Sequence, residues 1–395
     1  MNKRSWFIII LFLVVLGLFT FWVKAGRGLT PLIPTTENTA EKIERAQIRE
    51  SKGEPVDFPL KIDGEFEIRV FAKDLPSGAR VLAFDKNQNL LVSFPKAGQI
   101  IALPDKNNDG KADEQIVILN DLNLPHGLDF YQDWLYVAET DKVVRYKYEP
   151  ADFSVKAQEK VLDLSGGGGH FSRTIKVGPD GKLYITAGSS CNVCVEKDKR
   201  QAAMMRANPD GSDFEIFATG LRNTVFFTFD KEGQIWGNDM GRDLLGDLLP
   251  PDELNVVKKG DYGWPYCYGN KVVDPFGKSE DRCENTLGTA WDYYAHVAPL
   301  GITFIDSPQF PNSWQGDLLI SFHGSWNSSV PVGYKIVRLV VENGKVLEEK
   351  DFITGFLTGP VASGRPVDLT FGSDGSLYIS DDKANAVYIL RKKPS

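Results

Sequence analysis

Apolar and polar positions alternate on both sides of a Pro-Asp-Gly turn in IKVGPDGKLYIT, the second half of Leu164–Gly188. That is the pattern of two short strands joined by a tight turn. The same hairpin recurs as FTFDKEGQIWGN (Phe227–Asn238), LTFGSDGSLYIS (Leu369–Ser380) and, more loosely, LAFDKNQNLLVS (Leu82–Ser93). The residues heading the first strand of each unit are Val81, Gly127, Thr174, Val225, Ile302 and Val367, at steps of 46, 47, 51, 77 and 65 residues. This spacing predicts an all-β chain of four-stranded blades, a six-bladed β-propeller, with insertions near Pro250–Asp292 and Gly324–Gly333. The alternating segment Phe66–Ala72 precedes the first full unit and is placed to complete the last blade beside Ala386–Arg391. Two consecutive β-sandwiches are the rival architecture. They would need a central linker and no repeat in phase across it.

The apolar run Trp6–Val23 behind Lys3 and Arg4 is long enough to span a bilayer, and Val23-Lys24-Ala25 also reads as a cleavage site. Residues 1–25 are therefore expected to be a transmembrane anchor or a signal peptide, 26–59 a linker and 60–395 the propeller. Either N-terminal reading puts the globular part outside the cytoplasm, in the periplasm or at the cell surface. Four cysteines in an exported chain read as two disulfides, Cys191–Cys194 and Cys267–Cys283. A zinc site is the alternative, but the second pair lacks C-x-x-C spacing. A net charge of -8 argues against a nucleic-acid surface.

In a propeller the loops entering and leaving the innermost strands share one end, so equivalent positions of distant repeats converge there. Those positions hold Arg80, His126, His170 with Arg173, Arg222 with Asn223, and Arg365 before the strands. After the strands or their hairpin mates come Glu139, Ser189, Asp239 to Arg242, His323 and Asp381. A basic rim on an acidic protein points to an anionic ligand with several carboxylates or phosphates. Taken one at a time, such residues also serve simply to cap strands or pair with a nearby Asp. The glycine run Gly166–Gly169 is not a phosphate loop, because no G-K-[ST] follows it and no helix opens after it.

Five ordered motifs carry a resemblance over roughly Leu60 to Arg391: HFSRTIKVGPDGKLYITAG, the pair Arg222-Asn223, DELNVVKKGDYGWP, FHGSWN and GRPVDLTF. Together they are similar to the quinoprotein glucose/sorbosone dehydrogenase family. The resemblance implies a propeller binding pyrroloquinoline quinone and calcium, which oxidises an aldose or related sugar and passes electrons to an acceptor such as a cytochrome or a membrane quinone. It makes His170 the base that takes the sugar's hydroxyl proton, and it sets Arg222 and Asn223 near the quinone's reactive carbonyl. Arg365 becomes a clamp on a cofactor carboxylate, with His126, Arg80 and His323 as further cofactor contacts. Gly241 and Arg242 match residues whose carbonyls hold calcium.

The sequence departs from the glucose-oxidising pattern in two places. Ser189 stands where an aspartate accompanies the base, and His323 stands where lysine is common. Both agree better with the sorbosone-like branch. A second calcium candidate is DKNNDGKADE, where Asp105, Asn107, Asp109 and Asp113 take EF-hand-like positions with Gly110 at the turn. Ile116 occupies the position of the expected last acid, so an ordinary hydrogen-bonded turn is the alternative. A metal-dependent lactonase and a non-catalytic scaffold on the same fold are the rival functions.

Overall fold

The computed structural model describes residues 54–393, apart from 63, 167, 278 and 279. The N-terminal apolar run lies outside these residues. Among the described residues no helix is long and apolar enough to cross a membrane.

Six antiparallel sheets form in sequence order. Blade 1 runs Leu82–Phe84, Leu90–Phe94, Gln99–Leu103 and Ile116–Leu119, and blade 2 runs Leu128–Tyr131, Trp134–Ala138, Lys142–Glu149 and Ser154–Asp163. Blade 3 is Arg173–Val177, Leu183–Ala187, Ala203–Ala207 and Glu215–Thr219, and blade 4 is Thr224–Phe229, Ile235–Asp239, Glu253–Val257 and Trp291–Asp292. Blade 5 comprises Pro299–Phe304, Leu318–Phe322, Lys335–Glu342 and Lys345–Thr354. Blade 6 begins with Pro366–Phe371, Leu377–Asp381 and Ala386–Lys392.

Its fourth strand comes from the other end of the chain: Phe66–Ala72 pairs antiparallel with Ala386–Lys392, Ile68 opposite Leu390. Closure therefore uses the strand that the alternation singled out, and it leaves no open sheet edge between first and last blades. Each innermost strand touches the next around the ring, with that of blade 6 against that of blade 1. The approach is close at Gly127, whose amide donates to the Arg173 carbonyl at 2.8 Å. A Cβ there would lie 2.6 Å from that oxygen, so a side chain would wedge blades 2 and 3 apart.

Residues 54–59, grouped with the linker in the sequence reading, pack on the propeller. Glu54 bridges Val70, Val56 is buried, and Phe58 stacks near Phe356 and Tyr388. Lys61–Ile62 then adds an edge strand to blade 5, so the N-terminal segment ties two neighbouring blades. The insertion after Val257 includes Gly260–Asp261, which pairs parallel with the outer strand of blade 3, and the short helix Glu280–Glu284. Both expected disulfides form, with Cα–Cα distances of 6.2 Å for Cys191–Cys194 and 5.8 Å for Cys267–Cys283.

Phe66 is 2% exposed on the closing strand and packs against Phe310 and Phe352. Phe66→Ala should cost about 3–5 kcal/mol in chemical denaturation. A loss below ~1 kcal/mol would mean that this strand does not hold the ring shut.

Candidate active site

The loops leading into the innermost strands bring Arg80, His126, His170, Arg222, His296 and Arg365 to one end of the ring, one from each blade. His296 escaped the sequence reading. The repeat count used Ile302 as the head of the first strand of blade 5, whereas that strand begins at Pro299. Its Nε2 lies 2.7 Å from the Gly246 carbonyl, so it ties loops together instead of facing a ligand.

The glycine-rich loop before blade 3 is pinned, not slack. Arg173, fully buried, donates to the carbonyls of Ser165 at 2.7 Å and of His170 and Ser172 at 2.9 Å. The half-buried His170 is thereby fixed, and its Nδ1 lies 2.8 Å from the Ser189 carbonyl. A carbonyl only accepts, so the proton sits on Nδ1 and Nε2 keeps its lone pair. The tautomer that a neighbouring aspartate would set is set here by backbone, while the Ser189 hydroxyl donates to the Cys191 carbonyl at 2.7 Å. Burial first, then the charges of Arg222 and Arg173, push the His170 imidazole down to about 4, against a smaller opposing effect of the Ser189 carbonyl.

Beside it, Gly188 allows Asn223 and His170 to close in: a Cβ at 188 would lie 2.2 Å from Asn223 Oδ1 and 2.7 Å from the His170 Cβ. Arg222 donates through Nε and Nη2 to both oxygens of Asn192, each at 3.0 Å, and through Nη1 to the carbonyls of Met240 and Gly241 at 3.1 and 2.8 Å. Its nearest carboxylate, Asp243, is 3.9 Å away. The guanidinium is thus solvated by dipoles with little neutralisation, and its positive potential persists.

On the other side of the axis, Arg80, Lys96, Phe171, His323, Arg365 and Asp382 line a cavity of ≈ 260 Å³. Arg80 donates to Asp382 at 3.0 Å, and His323 Nε2 meets the other carboxylate oxygen at 2.8 Å. Burial alone would raise Asp382, but His323 and Arg80 hold its carboxyl far below the usual range. Burial lowers His323 despite that carboxylate, so it stays neutral and donates its Nε2 proton to Asp382. Arg365 lies over the Tyr334 ring and donates to the carbonyls of His323 and Gly324. Asp382 and Lys96 were not foreseen. The sequence reading stopped one residue short at Asp381, whose oxygens serve the amides of Arg365, Lys383 and Ala384.

His126 joins the two halves. It is fully buried, its ring lies 6.1 Å from that of Phe171, and burial followed by the charge of Arg80 drives it well below the ordinary histidine value. Its Nε2 has no partner among the described residues, nor do Arg80 Nε and Asn223 Oδ1. Arg80 Nε is a buried donor on a basic cavity that an anionic group would complete, as a carboxylate of pyrroloquinoline quinone would, whereas the Asn223 Oδ1 acceptor calls for a donor.

Calcium fits less well. One of the two expected carbonyls, that of Gly241, already serves Arg222. In the EF-hand-like loop, Asp105 accepts from the amides of Asp109 and Gly110, Asn107 from that of Asp109, and Asp113 from that of Lys106. These oxygens build a turn. Among the described residues, the one group of three potential metal ligands is Cys191, Cys194 and Glu196, whose sulfurs are joined as a disulfide.

Fold and rim together define a propeller with a basic pocket for a polyanion beside a neutral histidine. Residues 60–393 match the TrAA12-like family, and the chain belongs to it. An uncharacterised protein of Borreliella burgdorferi is 32% identical over 85% of this chain and 91% of its own length. A pyrroloquinoline quinone-dependent pyranose dehydrogenase of Coprinopsis cinerea is 22% identical over 79% of this chain, which spans only 52% of that longer protein. Among solved structures, a Trichoderma reesei carbohydrate-active enzyme of family AA12 superposes with a TM-score of 0.76 at 22% identity, covering 87% of this chain and 100% of that one.

Two measurements check this geometry. In cofactor-free protein, the His170 NMR titration midpoint should lie near 4. Because the folded value is depressed, the unfolded chain takes up this proton first. Stability is therefore lost as pH falls from about 6.5 toward about 4, and is fully present above that window. Calcium titrated into the same protein should show no saturable binding by calorimetry. A tight site would mean that Arg222 leaves Gly241 readily, or that the Asp105–Asp113 turn reopens.

Proposed function

We propose that the protein is a pyrroloquinoline quinone-dependent sugar dehydrogenase acting outside the cytoplasm, held at the membrane or released through its N-terminal apolar run. The observation that carries this reading is a neutral histidine with an open Nε2 on the same rim as the carbonyl-bound guanidinium of Arg222 and a basic cavity lined by Arg80, Lys96 and Arg365. The nature of the AA12 and pyranose dehydrogenase relatives supports the same class of substrate.

Bound quinone would supply the hydride acceptor, and Arg365 and Arg80, with His126 beside them, would hold its carboxylates. His170 Nε2 removes the proton from the sugar hydroxyl, while the Ser189 carbonyl steadies the imidazolium through Nδ1. An imidazole held near 4 is a weak base; anionic charge brought close to Arg222 would offset the part of that depression due to charge and raise it, while the larger part, due to burial, stays. Arg222 faces the negative charge that develops as hydride leaves the sugar. Calcium on the carbonyls of Gly241 and Arg242 would accompany the cofactor only after Arg222 Nη1 gives up the Gly241 oxygen, and none of these steps uses it. With Ser189 and His323 in place of aspartate and lysine, the substrate is a sorbosone-like or other aldose sugar other than glucose. Electrons then pass to a cytochrome or a membrane quinone.

The test is dye reduction by protein loaded with pyrroloquinoline quinone and calcium, across a panel of aldoses and sorbosone. His170→Ala should lower turnover by about 10²–10⁴-fold while retaining quinone absorbance after desalting. Arg365→Ala should instead weaken retention of the quinone. No retained quinone in the unmodified protein would point to a scaffold, and lactone hydrolysis without dye reduction to a lactonase.

A further inference from the structure

The disulfide Cys191–Cys194 closes a ring of four residues lying between the two groups on which the site turns. On one side, Ser189 accepts from His170 through its carbonyl and reaches the Cys191 carbonyl through its hydroxyl. On the other, Asn192 inside the ring takes two of the four hydrogen bonds that Arg222 makes. Asn192 also bridges to the facing loop, its Nδ2 donating to the Asp243 carbonyl at 3.2 Å and its Oδ1 accepting from the Asp243 amide at 2.8 Å. The carboxylate of Asp243 waits 3.9 Å from Arg222. Both cysteines of this ring are half-buried, whereas Cys267 and Cys283 are 3% and 2% exposed.

We propose that this ring is a positioning element of the site: it holds Asn192 against Arg222 and the Ser189 carbonyl against His170, and opening the disulfide releases both. Asn192 is thus a positioning residue. Without its side chain the guanidinium keeps the carbonyls of residue 192, Met240 and Gly241 but loses the partner of Nη2, which turns to the Asp243 carboxylate and draws positive charge away from the imidazole. Opening by a dithiol delivers two electrons and two protons to the sulfurs of Cys191 and Cys194 and leaves the reductant as its own disulfide. The partial exposure of this pair lets it open while Cys267–Cys283 stays closed. That loss of positioning would slow the proposed dehydrogenase, and this consequence alone rests on the functional reading.

The test uses cofactor-free protein and follows the imidazole signals of all four histidines against pH in the unmodified protein, in Asn192→Ala and in the double variant Cys191→Ser/Cys194→Ser. The charged groups acting on His170 are Arg222 and Arg173, and only the first should move. The His170 midpoint is expected to rise by about one pH unit in Asn192→Ala, where the ring stays closed, and by less in the double variant, where loss of the Ser189 carbonyl acts the other way, with His126 and His296 unchanged in both. Reduction of the unmodified protein by a small dithiol, with alkylation confined to Cys191 and Cys194, should match the double variant, which decides the matter even if a variant fails to fold. Unchanged midpoints in all three, with Arg222→Ala still raising the His170 value, would overturn the proposal. In loaded protein, kcat should fall about tenfold or more with quinone affinity little altered. If the unmodified protein shows no turnover, the functional reading fails, and the apo titration still settles the ring's role.

Discussion

Everything at this site depends on close contact between neighbouring innermost strands around the axis. Gly127 shows how little room that contact leaves, since the backbone of blade 3 lies where a side chain would begin. The crowding fixes the height at which each entering loop reaches the rim. Arg80, Arg222 and Arg365 come from parts of the chain far apart in sequence, yet Arg80 acts on the ionisation of His126, Arg222 on that of His170, and Arg365 with Arg80 on that of His323. A looser ring would let the cations separate into solvent, and the electrostatic character of the mouth would vanish.

That character is built in an unusual way for buried arginines. Arg173 and Arg222 are surrounded mainly by carbonyl oxygens, with carboxylates kept at a distance. Dipoles stabilise the guanidinium without cancelling its charge, so the field still reaches a ligand. Arg80 is the contrast, because Asp382 compensates it directly and fastens it in place. The rim thus combines one anchored pair with cations whose charge remains unspent.

Most of the architecture was legible in the sequence, because the same strand–turn–strand pattern recurs in blades 1, 3, 4 and 6, with Asp-Gly at the tip in blades 3 and 6. The closing strand was legible for a related reason: FEIRVFA alternates, and a closed sheet has one vacancy that only such a segment fills. The pairing of cysteines followed from spacing. What escaped were features that turn on a displacement of one or a few residues. Ile302 stood as the head of a strand that begins at Pro299, which hid His296, and Asp382 was hidden behind Asp381, a carboxylate of the same type that caps backbone. Nor does sequence say where an arginine spends its donors, so the engagement of Arg222 with Asn192 and Gly241 emerged only from the coordinates. The acidic turn at Asp105–Asp113 carried nearly the right letters for a cation. Its oxygens are consumed by its own amides, an outcome that composition does not decide.

The seam between chain ends also bears on how the protein is made. Phe66–Ala72 leaves the ribosome among the first strands and pairs with Ala386–Lys392, among the last. Until synthesis is nearly finished, an apolar strand carrying Phe66, Ile68 and Phe71 has no neighbour along one edge, while five complete sheets assemble beyond it. The hazard of misassembly is therefore concentrated at the beginning of the chain and persists to its end. The last blade can close only when both ends of the propeller have been made.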